Sequence, residues 1–490
     1  MHSFEMLTKL TGNPLWADRC EEVTFNTFPA SMTPDQKALH YLTCPNSIAQ
    51  DRQNHAPGIQ NGGTMLSYSP FAGYRCCQHN VSHGWPYYAE ELWLATADKG
   101  LCASLYAASE VSAKVGSGAT VSIAEMTQYP FEETVRFRLR ADAPAKFPLY
   151  LRVPRWCQRA SVELNGKDLA VKAEPLSYLV IDRTWKSGDS VTLELPMDVT
   201  VRTWQKNMAA VSVDRGPLAY SLTIGEKWQK YGDNAQWPEW EALPTTPWNY
   251  GLVLDAQNPS KSLQVMVKPG AVADQPFTPE TAPVQIRTQA RKIPAWKTDA
   301  TGLVGLLQQC PAKSEEAVET VTLIPMGCAR LRIAAIPTVS AGPEAHEWVA
   351  PPAPPLASWC NPGDSTGALN DGIEPKNSND QSIPRFTWWD HLGTPEWVQY
   401  DYKEKRKVSG VAVYWLDDTG GGGCRVPKSW RLLYRDGNDW KPVAAKGEYG
   451  VKRDQYNRVE FEPLTTDGLR VEVQLQTDVS GGILEWKVIP

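Results

Sequence analysis

A chain of 490 residues exceeds one ordinary domain, and typical domain sizes suggest roughly three units. Hydrophobic residues make up 42% of it and charged residues 21%, with a formal net charge of −6. That balance excludes a general nucleic-acid or anionic-membrane binder, which would carry a basic field, and no apolar run is long enough to cross a bilayer.

The first residues, MHSFEMLTKL, lack the basic stretch, apolar core and cleavage site of a signal peptide. Met1, Phe4, Leu7 and Leu10 recur at helical spacing with no cap before them. The expectation is that further sequence of this domain lies upstream, so that the chain is a fragment of a longer protein. The first helix ends at Thr11-Gly12. Asn13 caps a second helix that starts at Pro14, the favoured first helical residue, and places Trp16, Cys20 and Val23 on one face. Residues 41–75 are rich in Asn, Gly, Pro and Ser and read as a long loop. The next helix, capped by Asn80 or Ser82, carries Tyr88, Leu92 and Ala95 and runs to Thr96.

From about Leu105 the period changes to two. ATVSIAEMT, ETVRFRLRA, FPLYLRVP, ASVELNGK and SVTLELP alternate apolar and polar residues, and Asn165-Gly166 is a hairpin turn signal. A β-sandwich is expected over 105–203, followed by a second β-rich domain over 204–337. Residues 338–356 form a proline-rich linker. Residues 357–490 are again β-patterned, with turns at the spacing of an independent sandwich. The 20 Trp, against 10 Phe, have two readings. Aromatic faces stack on sugar rings, but β-sandwiches also bury many Trp, and packing is the plainer reading.

Ten cysteines are too sparse for a disulfide scaffold. Two of them, Cys76 and Cys77 in YRCCQHN, are adjacent, and adjacent cysteines rarely bridge each other. They lie just before a predicted helix start, where the dipole favours thiolates. A nucleophile, a pair of zinc ligands and two buried structural thiols all remain open. Cys20, Cys44, Cys102, His40, His55, His79 and His83 show no recognisable metal spacing with the pair.

YRCCQHN with ADKGLCASLYAASEVSAKVG, FPLYLRVPRWCQRASVELNGK, VSVDRGPLAYSL and LVGLLQQCPAKSEEAVETVTLIPMGCARLRI resembles the β-L-arabinofuranosidase family, glycoside hydrolase family 127, over nearly all of residues 1–337. Gln78-His79 replaces the usual Pro-Pro after the cysteine pair, which marks a divergent branch. The resemblance implies a multidomain α+β chain: the C-terminal part of an (α/α)6 barrel over 1–104, then the β-sandwich domains. It implies a retaining exo-glycosidase for terminal β-L-arabinofuranosyl units on plant-type or other arabinose-containing glycans. It also implies Zn²⁺, with Cys76 as zinc-bound nucleophile and Cys77 as a second ligand. From their own chemistry, His79, Asn80 and His83 are expected either to touch substrate or to order the loop. The family's other zinc ligands, a Glu-x-Cys segment, and its acid/base glutamate precede the helix with which this chain begins. Glu5, Glu21, Glu22, Glu90 and Glu91 are not expected to replace that acid. Glu21 and Glu22 are expected to face solvent or cap a loop, and His83 is expected to be structural.

GALNDG, RFTWWD, EWVQYDY, KVSGVAVYW and SWRLLYRDGNDWKPV resemble a discoidin-type (factor 5/8 C-terminal) module, a galactose-binding-like jelly roll. This resemblance implies glycan binding, with Trp388, Trp389 and His391 as a sugar platform and Arg425 as a polar clamp. It also implies a structural Ca²⁺ near LNDG with Asp371 as a ligand. Trp397 and Trp415, on predicted strands, are read as core. Function is thus expected to be that of a glycoside hydrolase with an incomplete site that by itself lacks turnover. The alternative is a non-catalytic carbohydrate-binding or accessory protein. Neither nucleic acid nor a membrane span is expected.

Overall fold

The computed structural model describes residues 1–490 apart from 54, 56–58, 60, 62–64, 72–74, 300 and 350–354. Two compact units emerge. One comprises Met1–Arg52, Met65–Trp296 and Leu307–Trp348; the second comprises Gln53–Thr64, Lys297–Leu306 and Val349–Pro490.

The first unit opens with a helical hairpin whose turn is written in three residues. Helix α1 (His2–Thr11) ends at Gly12, whose φ of 64° is left-handed and whose N–H reaches Thr8 O. Asn13 then caps α2 (Pro14–Glu22) by accepting from Leu15 N, with Pro14 at the first helical position. A π-helical turn, Val23–Thr27, leads into α3 (Phe28–Ala30). Two short helices follow the long loop, α4 (Arg75–Val81) and α5 (Gly84–Glu90). A Cβ on Gly84 would lie 2.2 Å from the Phe28 ring, so only glycine lets α5 start there. Among the described residues these five α-helical segments do not make the ring of an (α/α)6 barrel, and the chain is mostly β. No helix among them is long and apolar enough to cross a membrane.

The helix expected to run to Thr96 stops at Glu90, and His83, not Asn80 or Ser82, precedes α5 without a side-chain cap. Trp93–Ala95 is a strand that pairs with Leu101–Ala103. The sandwich therefore begins upstream of Leu105. Leu92 and Ala95 keep helical spacing, but the turn at Asp98–Gly100 lets the strand hydrogen-bond instead. One sheet of the sandwich has four strands, in the order Ser177–Trp185, Ala145–Val153, Leu101–Ala103, Trp93–Ala95. The second has six and includes Ala119–Met126 and Thr134–Ala141. Alternation buries Val135, Phe137 and Leu139 from one sheet and Phe147, Leu149 and Leu151 from its neighbour. Each contributes about 1.5–3 kcal/mol of burial. Trp93 meets Phe137 edge-on across the two sheets, with centroids 5.8 Å apart. At the expected hairpin turn Asn165 and Gly166 take φ of 54° and 74°, the type I′ signature.

Glu125 is buried inside this sandwich, 2% exposed. It accepts from Ala107 N and Ser109 Oγ, yet burial raises its carboxyl to about 8, the hydrogen bonds offsetting only part of that. The folded chain thus keeps a proton that the unfolded chain, with an ordinary carboxyl near 4.5, has released. Below about pH 4.5 both states are protonated and the group contributes nothing. Between about 4.5 and 8 stability falls as pH rises, by up to about 1.4 kcal/mol per pH unit, and above that the full penalty stands. Glu125→Gln is expected to remove this slope in urea unfolding compared at pH 5, 7 and 8.5.

A seven-stranded sheet follows, running from Val199–Trp204 at one edge through Ala210–Arg215, Leu218–Leu222, Glu319–Pro325 and Val284–Lys292. The expected linker is partly ordered within this unit. Val339–Ser340 pairs in parallel with Ala312–Lys313, and Trp348 packs 5.6 Å from Trp296 at 8% exposure. A buried indole and a ladder hold what composition alone reads as a spacer; residues 350–354 of it lie outside the described set.

In the second unit, two long strands, Pro395–Leu416 and Tyr456–Gln474, form the spine of a seven-stranded sheet. Register shifts between Asp401 and Arg406 and between Val408 and Gly410 bend the first of them. Trp388, Trp415, Trp430 and Trp486 fill the core.

Candidate functional site

Cys76 and Cys77 are the second and third residues of α4, inside its first turn, where backbone N–H groups lack intrahelical acceptors. The sequence reading placed them just before the helix. Cys76 is the one exposed cysteine of the ten; Cys77 is half-buried. Burial, and then its neighbour Cys76, push the Cys77 thiol up. Elsewhere burial lifts Cys20, Cys102, Cys328, Cys360 and Cys424 to about 12, which keeps those thiols protonated and inert.

Asn80 donates to the Cys76 carbonyl at 2.7 Å, tying the end of the helix to the cysteine's backbone. Gln78 donates to Pro70 O at 2.6 Å and fixes α4 against the preceding loop. His79 is exposed, and His83 stacks on Tyr87 at 5.3 Å, as a structural residue would. Among the described residues no group of three or more His, Cys, Asp or Glu is arranged to hold a metal. The pair therefore supplies two ligands of the four that zinc takes, and these residues do not form a complete zinc site.

The nearby acids are engaged. Glu21, expected at the surface, is fully buried: Arg152 binds it together with Asp18, and Tyr129 Oη donates to it at 2.6 Å. Glu22 pairs with Arg19 and Arg155, at 2.5 and 2.8 Å. Glu91 pairs with Lys9. Glu5 is buried beside Cys20, and burial raises its carboxyl.

In the second unit the tryptophan pair splits. Trp388 is fully buried edge-on to Phe386, with centroids 4.9 Å apart, and so packs the core instead of facing a sugar. Trp389 is 43% exposed. Its indole fits because residue 423 is glycine; a Cβ there would lie 2.5 Å from the ring. Trp359, which the sequence reading did not single out, stacks on His391 at 5.0 Å and donates from Nε1 to Trp389 O. His391 in turn pairs with Glu396 at 2.6 Å. The exposed surface is thus Trp359, His391 and Trp389, braced from beneath by Glu396. Arg425 is held by Asp418 and by the carbonyls of Gly422 and Cys424.

Asp371 Oδ1 accepts from Ile373 N. A second carboxylate, Glu485, is 3% exposed, and its Oε2 has no hydrogen-bond partner. Burial first, then the charge of Asp371, lift Glu485 to about 8. An orphaned buried carboxylate oxygen beside a second carboxylate fits a hard cation. Glu485 lies in a strand, and only its alternation with buried apolar neighbours could have hinted that it points inward.

These parts define a modular chain: a helical segment with an exposed thiol, a β-sandwich and a second β unit with surface aromatics. Residues 1–90 match the GH127 catalytic domain of beta-L-arabinofuranosidases, residues 100–197 the GH127 middle domain, and residues 358–486 the F5/8 type C domain. The chain thus carries segments matching the GH127 catalytic and middle domains, followed by an F5/8 type C domain. Among solved structures, one described as a glycoside hydrolase is 21% identical, covers 68% of this chain and 50% of its own, and superposes with a TM-score of 0.50. The GH127 beta-L-arabinofuranosidase Ara127N from Geobacillus stearothermophilus T6 is 23% identical over 69% of this chain and 47% of its own, with a TM-score of 0.48. The GH127 beta-arabinofuranosidase BT3674 is 19% identical over 68% and 47%, at 0.49. The chain spans about half the length of these structures.

Proposed function

We propose that the chain carries the nucleophile part of a retaining site for terminal β-L-arabinofuranosyl residues, with Cys76 as nucleophile and without a proton donor among the described residues beside it. The observation that carries this reading is that Cys76 alone among ten cysteines is exposed, within the segment that matches the catalytic domain. In the first step the Cys76 thiolate attacks the anomeric carbon; a C–S bond forms, the glycosidic C–O bond breaks, and the departing oxygen keeps the bonding pair, leaving as a phenolate or taking a proton from water. Water then displaces the sulfur, returning the thiolate and releasing the sugar and a proton. Asn80, bonded to the Cys76 carbonyl, holds the nucleophile's backbone in place, and exposed His79 lies beside it for the sugar hydroxyls. The same pair of cysteines is proposed as the two-thiolate half of a zinc site. An aryl glycoside that leaves as a stable phenolate needs no proton donor, so p-nitrophenol release from a β-L-arabinofuranoside by the wild type and Cys76→Ser tests the nucleophile directly.

A second reading, a glycan-binding accessory chain, draws on the exposed Trp359–His391–Trp389 surface. Trp389→Ala is expected to weaken binding of arabinose-containing oligosaccharides about tenfold with only a small change in Tm, because the side chain removed lies at the surface, 43% exposed, and outside the buried core. Calorimetric titration alongside thermal unfolding checks both.

Calcium is proposed at Asp371 and Glu485. Excess Ca²⁺ is expected to raise the unfolding temperature of the wild type, since a cation that binds only the folded state stabilises it by mass action. Glu485→Gln is expected to abolish that rise while stabilising the calcium-free protein. A rise of the same size in Glu485→Gln would place the ion elsewhere.

A further inference from the structure

A cleft of about 470 Å³ lies along Trp397 and Trp430 in the second unit, but the first unit holds a larger one, of about 730 Å³, within the usual range for ligand pockets. None of the Cys76–Asn80 residues lines the larger cleft. We propose that it is a second carbohydrate-binding site, taking a short neutral oligosaccharide against the indole of Trp204.

One wall is a single sheet face. Arg202 and Trp204 stand two apart on the edge strand Val199–Trp204 and so project the same way. In the ladder, Arg202 pairs with Ser212 and Thr200 with Asp214, which brings Ser212 and Asp214 onto that face. Trp204 is 44% exposed, an unusual position for a large indole, and its Nε1 donates to Ser212 Oγ at 3.1 Å, which fixes the ring. The Arg202 guanidinium carbon sits 5.2 Å from the ring centroid and makes no ion pair among the described residues. Asp214, against whose ionisation burial works, is touched only by Ser212 at 3.4 Å among the described bonds. Helix α2 also lines the cleft, and its Glu22 is already paired with Arg19 and Arg155.

This arrangement has the chemistry that a neutral sugar needs. An indole face accepts the apolar C–H side of a pyranose or furanose ring, while a carboxyl and a guanidinium with spare hydrogen-bonding capacity receive its hydroxyls. Charge argues against an ionic ligand. Asp18, Glu22, Asp198 and Asp214 face Arg19, Arg155 and Arg202, so the lining is close to balance.

The proposal rests on the carbohydrate reading above only for the class of ligand, and its test is separate from hydrolysis. The probes are a neutral arabino-tetrasaccharide and, as anionic control, a tetragalacturonate. Each is titrated into the full chain carrying Trp389→Ala, which weakens the aromatic surface of the second unit, and the change on replacing Trp204 or Arg202 in that background reports the cleft. Saturable binding of the neutral probe is expected, weakened about tenfold or more by Trp204→Ala or Arg202→Ala and largely retained in Trp204→Phe. Trp204 is exposed enough that its replacement leaves the fold intact, which unfolding curves verify. Absent binding in the Trp389→Ala chain, unchanged affinity in Trp204→Ala, or preference for the anionic probe would each overturn the proposal. Turnover that survives Cys76→Ser would sink the nucleophile assignment and leave this result untouched.

Discussion

Arg152→Met is expected to destabilise the first unit by about 3–5 kcal/mol, the cost of removing one partner from a buried ionic cluster. Arg152 is fully buried. Its guanidinium reaches Asp18 and Glu21 on α2, its Nε donates to Ser104 O at 2.6 Å, and it lies 5.4 Å from the Tyr106 ring centroid. Asp18 also accepts from Arg155 N, and Glu21 from Tyr129 Oη. Burial pushes both carboxyls up, and the arginine pulls them back. Without it, two buried carboxyls remain with no cation paired to them, and α2 loses these ion pairs to strand Ala145–Val153. Combining Arg152→Met with Asp18→Asn and Glu21→Gln is expected to cost less than the single change, because no uncompensated charge is left. Urea unfolding of both variants decides: a loss below about 1 kcal/mol in Arg152→Met would mean that the cluster does not anchor the helix.

That cluster also shows where the sequence stops being readable. Alternation along FPLYLRVP places Phe147, Leu149 and Leu151 inward and Arg152 on the opposite face, which an isolated sandwich would expose to water. It is buried because α2, more than 100 residues earlier in the chain, covers that face. The same long-range contact overturned the solvent-facing reading of Glu21. Local signals fared better: Gly12-Asn13-Pro14 marked the helical hairpin and Asn165-Gly166 the turn, because capping and positive φ are properties of a few adjacent residues. Trp388 and Trp389 are chemically identical neighbours with opposite fates. The room that admits Trp389 to the surface comes from Gly423, and its neighbour Trp359 comes from the other side, neither adjacent in sequence. The cysteine pair was legible as a feature, but its accessibility was not: burial of Cys20 and Cys102 depends on contacts assembled across the unit.

Cys76→Ser is expected to lower p-nitrophenol release from the β-L-arabinofuranoside at least about a thousandfold, the scale on which loss of a nucleophile is felt. A serine hydroxyl in the same place is a far weaker nucleophile at neutral pH than a thiolate, with no adjacent base among the described contacts to activate it. Cys77→Ser is expected to cost less, since that thiol is half-buried and is pushed toward its protonated form. Equal losses in the two variants would point to the pair acting as one unit.

The most direct measurement is peptide mass spectrometry of the protein quenched during reaction with an activated aryl β-L-arabinofuranoside. A retaining thiolate predicts the added mass of one pentosyl unit on the peptide that contains Cys76 and Cys77, absent in Cys76→Ser and present in Cys77→Ser. No adduct while p-nitrophenol is released, or an adduct that persists in Cys76→Ser, would contradict the assignment of Cys76 as nucleophile.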